Sequence, residues 1–386
     1  MNRKAKINPV QNSNPTKNEP MKTSIFTTAA TCLACACLPA FAHEVKNGSA
    51  DHTHTITTSD TAVVVATTGQ GDFIFEWDEA LTKNFPEDAK PFEPRMHGGF
   101  TEDADGTIYT GIPGYGLCSI SQDLKTWKKL GSDPRLKGTI HGQVFFVHKG
   151  KKLLALAQPS DKRILITDLQ GEVLQEIGCP TGETFVFEPA KTYYAGEKPN
   201  FAVTDVTYLG GVLYAVTGYS PGDFVLTLTE SDGNWGWGTL AWGGRGKQPG
   251  QFSTAHGIFA HKGDIYVANR AAHQVVHFTK DGKFVKLFAE IPAGNLICNV
   301  SYLREHFFFN ALSPVAGNKT AAIFAHSGKK LVSTIIPGEL GIPVLKNIHH
   351  VWPHEIPGEN GKKELVLLVH GWNKGKYAVL RQVTGK

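Results

Sequence analysis

A recurring phrase in the sequence begins, in every copy, with a residue that can bind a metal ion. Six copies lie 43 to 64 residues apart, and their shared position is occupied by His97, His141, Asp205, His256, Asn299 and His354. Imidazole nitrogens and carboxylate or amide oxygens are common protein ligands of divalent ions. If the fold brings these positions together, the sequence predicts a metal site dominated by histidine.

The phrase is built from short strands. Each copy runs from a polar–glycine step through strand-like segments separated by glycine turns, as in residues 255–288 (AHGIFAHKGDIYVANRAAHQVVHFTKDGKFVKLF). Repeats of this length, with about four strands each, are typical of β-propellers. The sequence therefore predicts an all-β, six-bladed β-propeller over residues 62–386. The strands of residues 62–77 are expected to complete the last blade and close the ring, which removes exposed sheet edges.

Composition and charge exclude several classes of function. The chain has 386 residues, is 41% hydrophobic and carries a formal net charge of +4. Residues 1–42 contain five basic residues and one acidic residue, so the remainder carries 34 of each sign. A chain with equal numbers of basic and acidic residues is not expected to have the basic face that nucleic-acid binding requires. Beyond the leader, no run approaches the roughly 18 apolar residues of a membrane span. We expect a monomer whose partner is a small-molecule or peptide-derived substrate.

Residues 1–42 have the pattern of a secretory signal peptide. Lys22 precedes an apolar stretch that ends in Ala-Phe-Ala at Ala42. The residues before Met21 are polar, so translation starting at Met21 is an alternative. Three cysteines within the leader leave a lipoprotein as a second alternative. The pattern predicts a periplasmic or secreted protein with a flexible polar lead-in at residues 43–61.

Several phrases resemble known propeller sequences. The segments PGQF (249–252) and IYVAN (265–269) are similar to the NHL repeat. More specifically, residues 96–386 resemble the propeller of peptidyl-α-hydroxyglycine α-amidating lyase. The phrases that carry this resemblance are IHGQ (140–143), TDV (204–206), AHGI (255–258), NVSY (299–302) and WPHEI (352–356). The resemblance implies a catalytic zinc in the central channel, bound by one histidine from each of three alternate blades.

By that resemblance the metal ligands are His141, His256 and His354, in the second, fourth and sixth copies. Alternate blades of a six-bladed ring lie about 120° apart. Three imidazoles arriving in this way leave one position open for water or substrate, the arrangement of a catalytic zinc. Zinc is the first expectation and iron(II) the second. His349 and His350 precede the sixth phrase, and either is an alternative to His354.

Two further residues bear on metal binding. His97 adds a fourth imidazole that the lyase pattern does not require. Three roles are open for His97: an extra metal ligand, an acid or base beside the metal, or a residue that only lines the channel. The family's structural calcium is bound partly by a carboxylate after the sixth-blade histidine, where this chain has Glu355. Glu355 is therefore a candidate ligand of a structural calcium ion.

The resemblance also implies two catalytic residues. Tyr219, in AVTGYSPG, corresponds to the lyase tyrosine that acts as a base toward the substrate hydroxyl. Arg270, in VANRAAHQ, corresponds to an arginine that binds the substrate carboxylate, for which the planar guanidinium is suited. The family's first-blade His-Arg-Gly-Asp motif is replaced by IPGYG (112–116). One substrate-binding arginine therefore has no counterpart, and the substrate class widens to small hydroxylated or carbonyl-bearing anions.

The sequence thus predicts a metal-dependent lyase with histidine ligands. A non-enzymatic NHL-type propeller that binds a protein or a ligand is the alternative. A lactonase-like hydrolase is a weaker third hypothesis. That family uses glutamate, asparagine and aspartate as ligands, whereas histidine dominates the shared position here.

Overall fold

The computed structural model describes residues 53–58, 61–291, 295–312, 321–342 and 345–383. These residues contain 26 strands in six antiparallel sheets and two short helices, α1 (Glu79–Thr82) and α2 (Glu188–Tyr194). The all-β, six-bladed propeller is confirmed. No helix within the described ranges is long and apolar enough to cross a lipid bilayer. The predicted signal peptide lies outside the described residues.

The first half of the chain supplies three complete sheets and part of the last. The strands β1 (Thr53–Thr58), β2 (Thr61–Gln70) and β3 (Phe73–Trp77) join the sixth sheet. The first sheet contains β4 (Phe100–Glu102), β5 (Ile108–Ile112), β6 (Gly116–Ile120) and β7 (Trp127–Leu130). The second contains β8 (Gly142–His148), β9 (Lys151–Gln158), β10 (Arg163–Thr167) and β11 (Val173–Ile177). The third contains β12 (Asp205–Leu209), β13 (Val212–Val216), β14 (Phe224–Ser231) and β15 (Asn234–Gly243).

The second half supplies the other three sheets. The fourth contains β16 (Ala255–His261), β17 (Asp264–Asn269), β18 (Gln274–Thr279) and β19 (Phe284–Glu290). The fifth contains β20 (Leu296–Leu303), β21 (His306–Leu312), β22 (Ile323–Ser327) and β23 (Lys330–Ile335). The sixth adds β24 (Ile348–Pro357), β25 (Lys363–Gly371) and β26 (Lys376–Gln382) to the three N-terminal strands.

One edge strand of each sheet belongs to an inner ring. The strands β4, β8, β12, β16, β20 and β24 contact one another in turn, and β24 also contacts β4. The ring is closed where β3 pairs with β26, with Trp77 opposite Leu380. The N-terminal strand thus completes the sixth sheet, as predicted. Thr53–Thr58, assigned from sequence to a flexible lead-in, instead forms β1, which pairs with β2.

Six hydrophobic clusters stabilise the ring, one between each pair of neighbouring sheets. Between the first two sheets, Leu117 packs in one cluster with Leu154 and Leu165. Strands buried on both faces have nearly continuous apolar runs, as at residues 365–369 of β25. Because the apolar packing lies between sheets, polar side chains can occupy the axis without interrupting a core.

Candidate metal centre

Three histidines reach the axis from irregular positions on inner strands. In β16, Ala255 pairs with Asn269 and Gly257 with Ala268, so His256 is the extra residue of a β-bulge. His349 is the extra residue at the same place in β24. His141 directly precedes β8, and its N–H donates to Ala157 O, the residue opposite Gly142. A bulge turns a side chain away from the regular alternation of its strand.

The structure corrects the alignment of the six copies. The bulge position is occupied by Cys298 in β20, and Thr204 occupies the corresponding place before β12. Asp205 and Asn299, which the sequence aligned with the histidines, lie one residue further along. In the sixth sheet His349, five residues before His354, takes the position. The alignment was wrong here because a bulge shifts the pairing of two strands by one residue, and the pattern of apolar residues along the chain does not show this shift.

Each of the three rings is anchored by a carbonyl of the next sheet. His141 Nδ1 lies 2.6 Å from Thr204 O, His256 Nδ1 2.8 Å from Cys298 O, and His349 Nδ1 3.3 Å from Gly98 O. A carbonyl oxygen can only accept, so each Nδ1 carries the hydrogen and each Nε2 presents a lone pair. This is the usual way in which proteins orient a metal-binding histidine.

Gly257 is required for one of these anchors. A Cβ atom added to Gly257 would lie 2.5 Å from Cys298 O, the carbonyl that accepts from His256. A larger residue would therefore displace the strand that supplies the acceptor.

The Nε2 atoms of His141 and His349 meet on the axis, and the His256 ring lies beside them. His141 Nε2 lies 3.1 Å from His349 Nε2, and the ring centroids of His256 lie 4.8 and 5.1 Å from those of His141 and His349. In a tetrahedral zinc site with Zn–N bonds of about 2.05 Å, ligand nitrogens lie about 3.3 Å apart. Burial lowers the pKa of all three histidines well below its ordinary value. A shared proton is therefore disfavoured, and the lone pairs fit a metal ion.

His97 lies beside this trio. Ligand nitrogens of His97, His141 and His349 all fall within 4.8 Å of one another. The His97 ring lies 4.8 Å from the His141 ring and 4.3 Å from the His349 ring, and it stacks on Trp372 at 5.5 Å. Burial, together with the charge of Arg270, lowers the pKa of His97 to about 4.

Tyr219 and Arg270 also reach the cluster. Tyr219 Oη lies 3.1 Å from His141 Nε2 and 3.0 Å from His256 Nε2. Arg270 Nη1 donates to the same oxygen at 3.2 Å, and its guanidinium lies 5.2 Å from the centre of the tyrosine ring. Burial raises the pKa of Tyr219, and Arg270 opposes this rise. The structure thus brings together His97, His141, His256, Tyr219 and Arg270, all of which were identified from sequence.

His354 does not join the cluster. Its Nε2 lies 2.8 Å from Gln122 O and its Nδ1 lies 3.1 Å from Glu102 Oε2, so both nitrogens face the first sheet.

Glu355 also lies outside the cluster. Arg304 Nε donates to one of its carboxylate oxygens at 2.6 Å, and Lys363 Nζ lies 3.1 Å from the other. These two cations already balance the carboxylate, and calcium binding by Glu355 stays a prediction.

The histidines themselves line a small cavity of about 10 Å³. Asp205, Asn299 and His350 line it together with the trio. Asp205 accepts from the N–H groups of Val206 at 2.8 Å and Ile258 at 2.9 Å. Burial nevertheless raises the pKa of Asp205 to about 7. Asp205 and Asn299, which the sequence aligned with the histidines, thus line the same cavity.

Fold and site together define a six-bladed β-propeller with a histidine cluster on its axis. No sequence-family profile and no curated protein matches the chain. Among solved structures, it is similar to YCF48 from Cyanidioschyzon merolae, with 11% identity over 73% of this chain and 81% of that chain and a TM-score of 0.41. It is also similar to regucalcin, described as a calcium-binding protein, from Agrobacterium tumefaciens, with 13% identity over 75% and 91% and a TM-score of 0.44. Likenesses of this size concern the fold alone.

Proposed function

We propose that this protein is a metal-dependent lyase acting on a small hydroxylated or carbonyl-bearing anion. The observation that supports the metal site is the anchoring of His141, His256 and His349 by backbone carbonyls. This anchoring leaves all three Nε2 atoms unprotonated, and those of His141 and His256 both lie next to Tyr219 Oη. His141 Nε2 and His349 Nε2 lie 3.1 Å apart, and two lone pairs at that distance repel each other unless a cation lies between them.

The donor set suits a borderline divalent ion. Neutral imidazoles bind zinc and iron(II) well, whereas calcium and magnesium require oxygen ligands. Among the described residues, the ligand atoms that lie within 4.8 Å of one another belong to His97, His141 and His349, and the His256 ring lies beside them. We therefore infer zinc first and iron(II) second. When bound, the ion would lower the pKa of a substrate hydroxyl or polarise a carbonyl.

The surrounding side chains supply the other functions that a lyase needs. Tyr219 Oη lies beside the Nε2 atoms of His141 and His256, where it can take or relay a proton from a substrate hydroxyl. Arg270 supplies a fixed positive charge at the same oxygen, and its guanidinium can pair with both oxygens of a carboxylate. A substrate with a hydroxyl or carbonyl near its anionic end would engage both residues.

The signal-peptide pattern supports a periplasmic or secreted location. An N-terminal sequence that begins at His43 in the mature protein would support export with cleavage after Ala42. A mature protein that retains Met1 or Met21 would contradict it.

The central test is elemental analysis of purified protein, with His256→Ala beside the wild type. We expect close to one equivalent of zinc or iron in the wild type and a sharp loss in the variant. The variant should still fold, because the six clusters between the sheets do not include the axis, although loss of the bound metal should lower its thermal stability. A full metal equivalent in His256→Ala would refute the site. Bound metal without turnover of any hydroxylated or carbonyl-bearing anion would instead favour the non-enzymatic binding propeller.

A further inference from the structure

The three anchored histidines differ from His97 in how their rings are positioned. His141, His256 and His349 each donate Nδ1–H to a carbonyl of the neighbouring sheet. Among the described residues, none forms a hydrogen bond with either ring nitrogen of His97. Its ring is positioned by contacts with His141 and His349 and by stacking on Trp372. Both of its nitrogens are thus available to the cluster.

The distances place His97 within reach of an ion shared with the anchored rings. Its ligand nitrogen lies within 4.8 Å of those of His141 and His349, and ligands of one tetrahedral zinc lie about 3.3 Å apart. A small movement of the ring is therefore enough to bring His97 onto the ion or to remove it. No backbone hydrogen bond between described residues and the ring opposes that movement or its reversal.

Trp372 is suited to control this movement. It follows β25 directly, and its backbone N–H donates to Asn347 O at 3.1 Å, two residues before His349. Its side chain is 37% exposed, which is unusual for tryptophan, and the ring planes of Trp372 and His97 are inclined by only 27°. The same hairpin therefore lies close to an anchored ligand and supports the unanchored histidine.

From this contrast we infer that His97 is a displaceable fourth ligand, which covers the open position of the metal site and which Trp372 positions by stacking. The inference rests on the proposed metal site. A substrate or anion that binds the ion must then displace His97, so its apparent affinity is reduced by the fraction of molecules in which the position is already open. This would restrict access to ligands that also gain binding energy from Arg270.

The test uses the full-length mature protein loaded with Co²⁺, whose visible absorption bands report coordination number and geometry. His97→Ala should still bind one equivalent of Co²⁺, but with a changed spectrum that added imidazole restores. Azide should bind the variant at least about tenfold more tightly than the wild type. Trp372→Ala should shift the spectrum and the azide affinity in the same direction as His97→Ala, whereas Trp372→Phe, which retains an aromatic ring, should shift them less.

A matched control is Phe284→Ala, which removes a 42% exposed aromatic ring from β19 and should leave the spectrum unchanged. If His97→Ala has the wild-type spectrum and azide affinity, His97 is not a ligand, and the proposed metal site is unaffected. If His97→Ala loses Co²⁺ as completely as His141→Ala, His97 is a permanent ligand and the inference is wrong. A wild-type protein that binds no Co²⁺ would overturn both this inference and the proposed function.

Discussion

His141 Nε2 and His349 Nε2 lie 3.1 Å apart on the propeller axis, although each ring has its Nδ1 directed at a backbone carbonyl. Two lone pairs thus face each other in a buried setting. The arrangement is costly without a positive charge between the rings, and burial disfavours protonation of either one. The predictions below follow from this contact and from the residues around it.

His349 and His354 lie on the same strand but should differ in their effect on metal binding. We expect His349→Ala to weaken Zn²⁺ affinity by more than the roughly 10–100-fold that loss of an outer-shell partner costs. His354→Ala should stay within about threefold of the wild type, because its ring contacts Gln122 and Glu102. Competition with a fluorescent zinc chelator measures both constants. Equal losses in the two variants would mean that the trio is wrongly assigned.

Arg270 should contribute to anion binding and not to metal binding. In Co²⁺-loaded protein, glycolate offers a hydroxyl to the metal and a carboxylate to the guanidinium. Arg270→Lys keeps the charge but loses the planar pair of donors, so glycolate affinity should fall about tenfold, with a larger fall for Arg270→Ala. Spectral titration gives the constants, and metal content should not change. Unaltered glycolate binding by Arg270→Ala would rule out this role.

Tyr219 should contribute to proton transfer. Tyr219→Phe keeps the ring against Arg270 but removes the hydroxyl that lies beside His141 and His256. For a hydroxylated substrate that the wild type turns over, we expect kcat to fall about 10²–10⁴-fold while metal content is retained. Steady-state kinetics with parallel elemental analysis distinguishes this from a packing role, for which kcat would change by less than about threefold.

Asp205 should make the stability of the metal-free protein depend on pH. Its pKa is about 7 in the folded state, above the ordinary value of 3.8, so the folded protein binds a proton that the unfolded chain releases. The stabilisation is complete below about pH 4 and is lost as the pH rises through 7. Because Asp205 is only partly buried, we expect a loss of roughly 1–3 kcal/mol.

Urea unfolding of chelator-treated protein at pH 4.5 and 7.5 measures this effect. Burial lowers the pKa of the axial histidines, so the metal-free protein as a whole should be more stable at pH 7.5 than at pH 4.5, and Asp205 opposes this difference. Asp205→Asn has no titrating group at this position, so the difference between the two pH values should grow. The variant is also expected to be less stable overall, since an amide cannot accept from both Val206 and Ile258. An identical pH dependence in wild type and variant would show that Asp205 does not titrate in this range.

Closure of the ring should depend on Phe75. This residue of β3 is fully buried in the cluster between the fifth and sixth sheets, where Phe308 and Leu367 also lie. Phe75→Ala should lower the free energy of unfolding by about 3–5 kcal/mol through lost burial and a cavity. Leu331→Ala, at a 43% exposed position of β23, is the matched control and should cost much less. Chemical denaturation of both variants compares the two effects.

The sequence by itself determined the fold and most of the residues at the candidate site. The spacing of the repeats predicted six sheets, and the surplus strands of residues 62–77 predicted closure by an N-terminal strand. These features are local, because each copy has its own alternation of apolar and polar residues and its own turn residues. The same phrases selected His141, His256, Tyr219 and Arg270, which the fold brings together.

Only the tertiary structure decided which residue of the sixth copy faces the axis. His349, His350 and His354 all lie on β24, and the bulge at His349 depends on how that strand pairs with β25. The sequence also could not indicate which backbone carbonyls accept from the histidines, because every residue type has a carbonyl. The structure shows that they are those of Gly98, Thr204 and Cys298. The stacking of His97 on Trp372 joins residues far apart in the chain. Cross-strand register and backbone acceptors are set by long-range packing, so a pattern within one repeat cannot specify them.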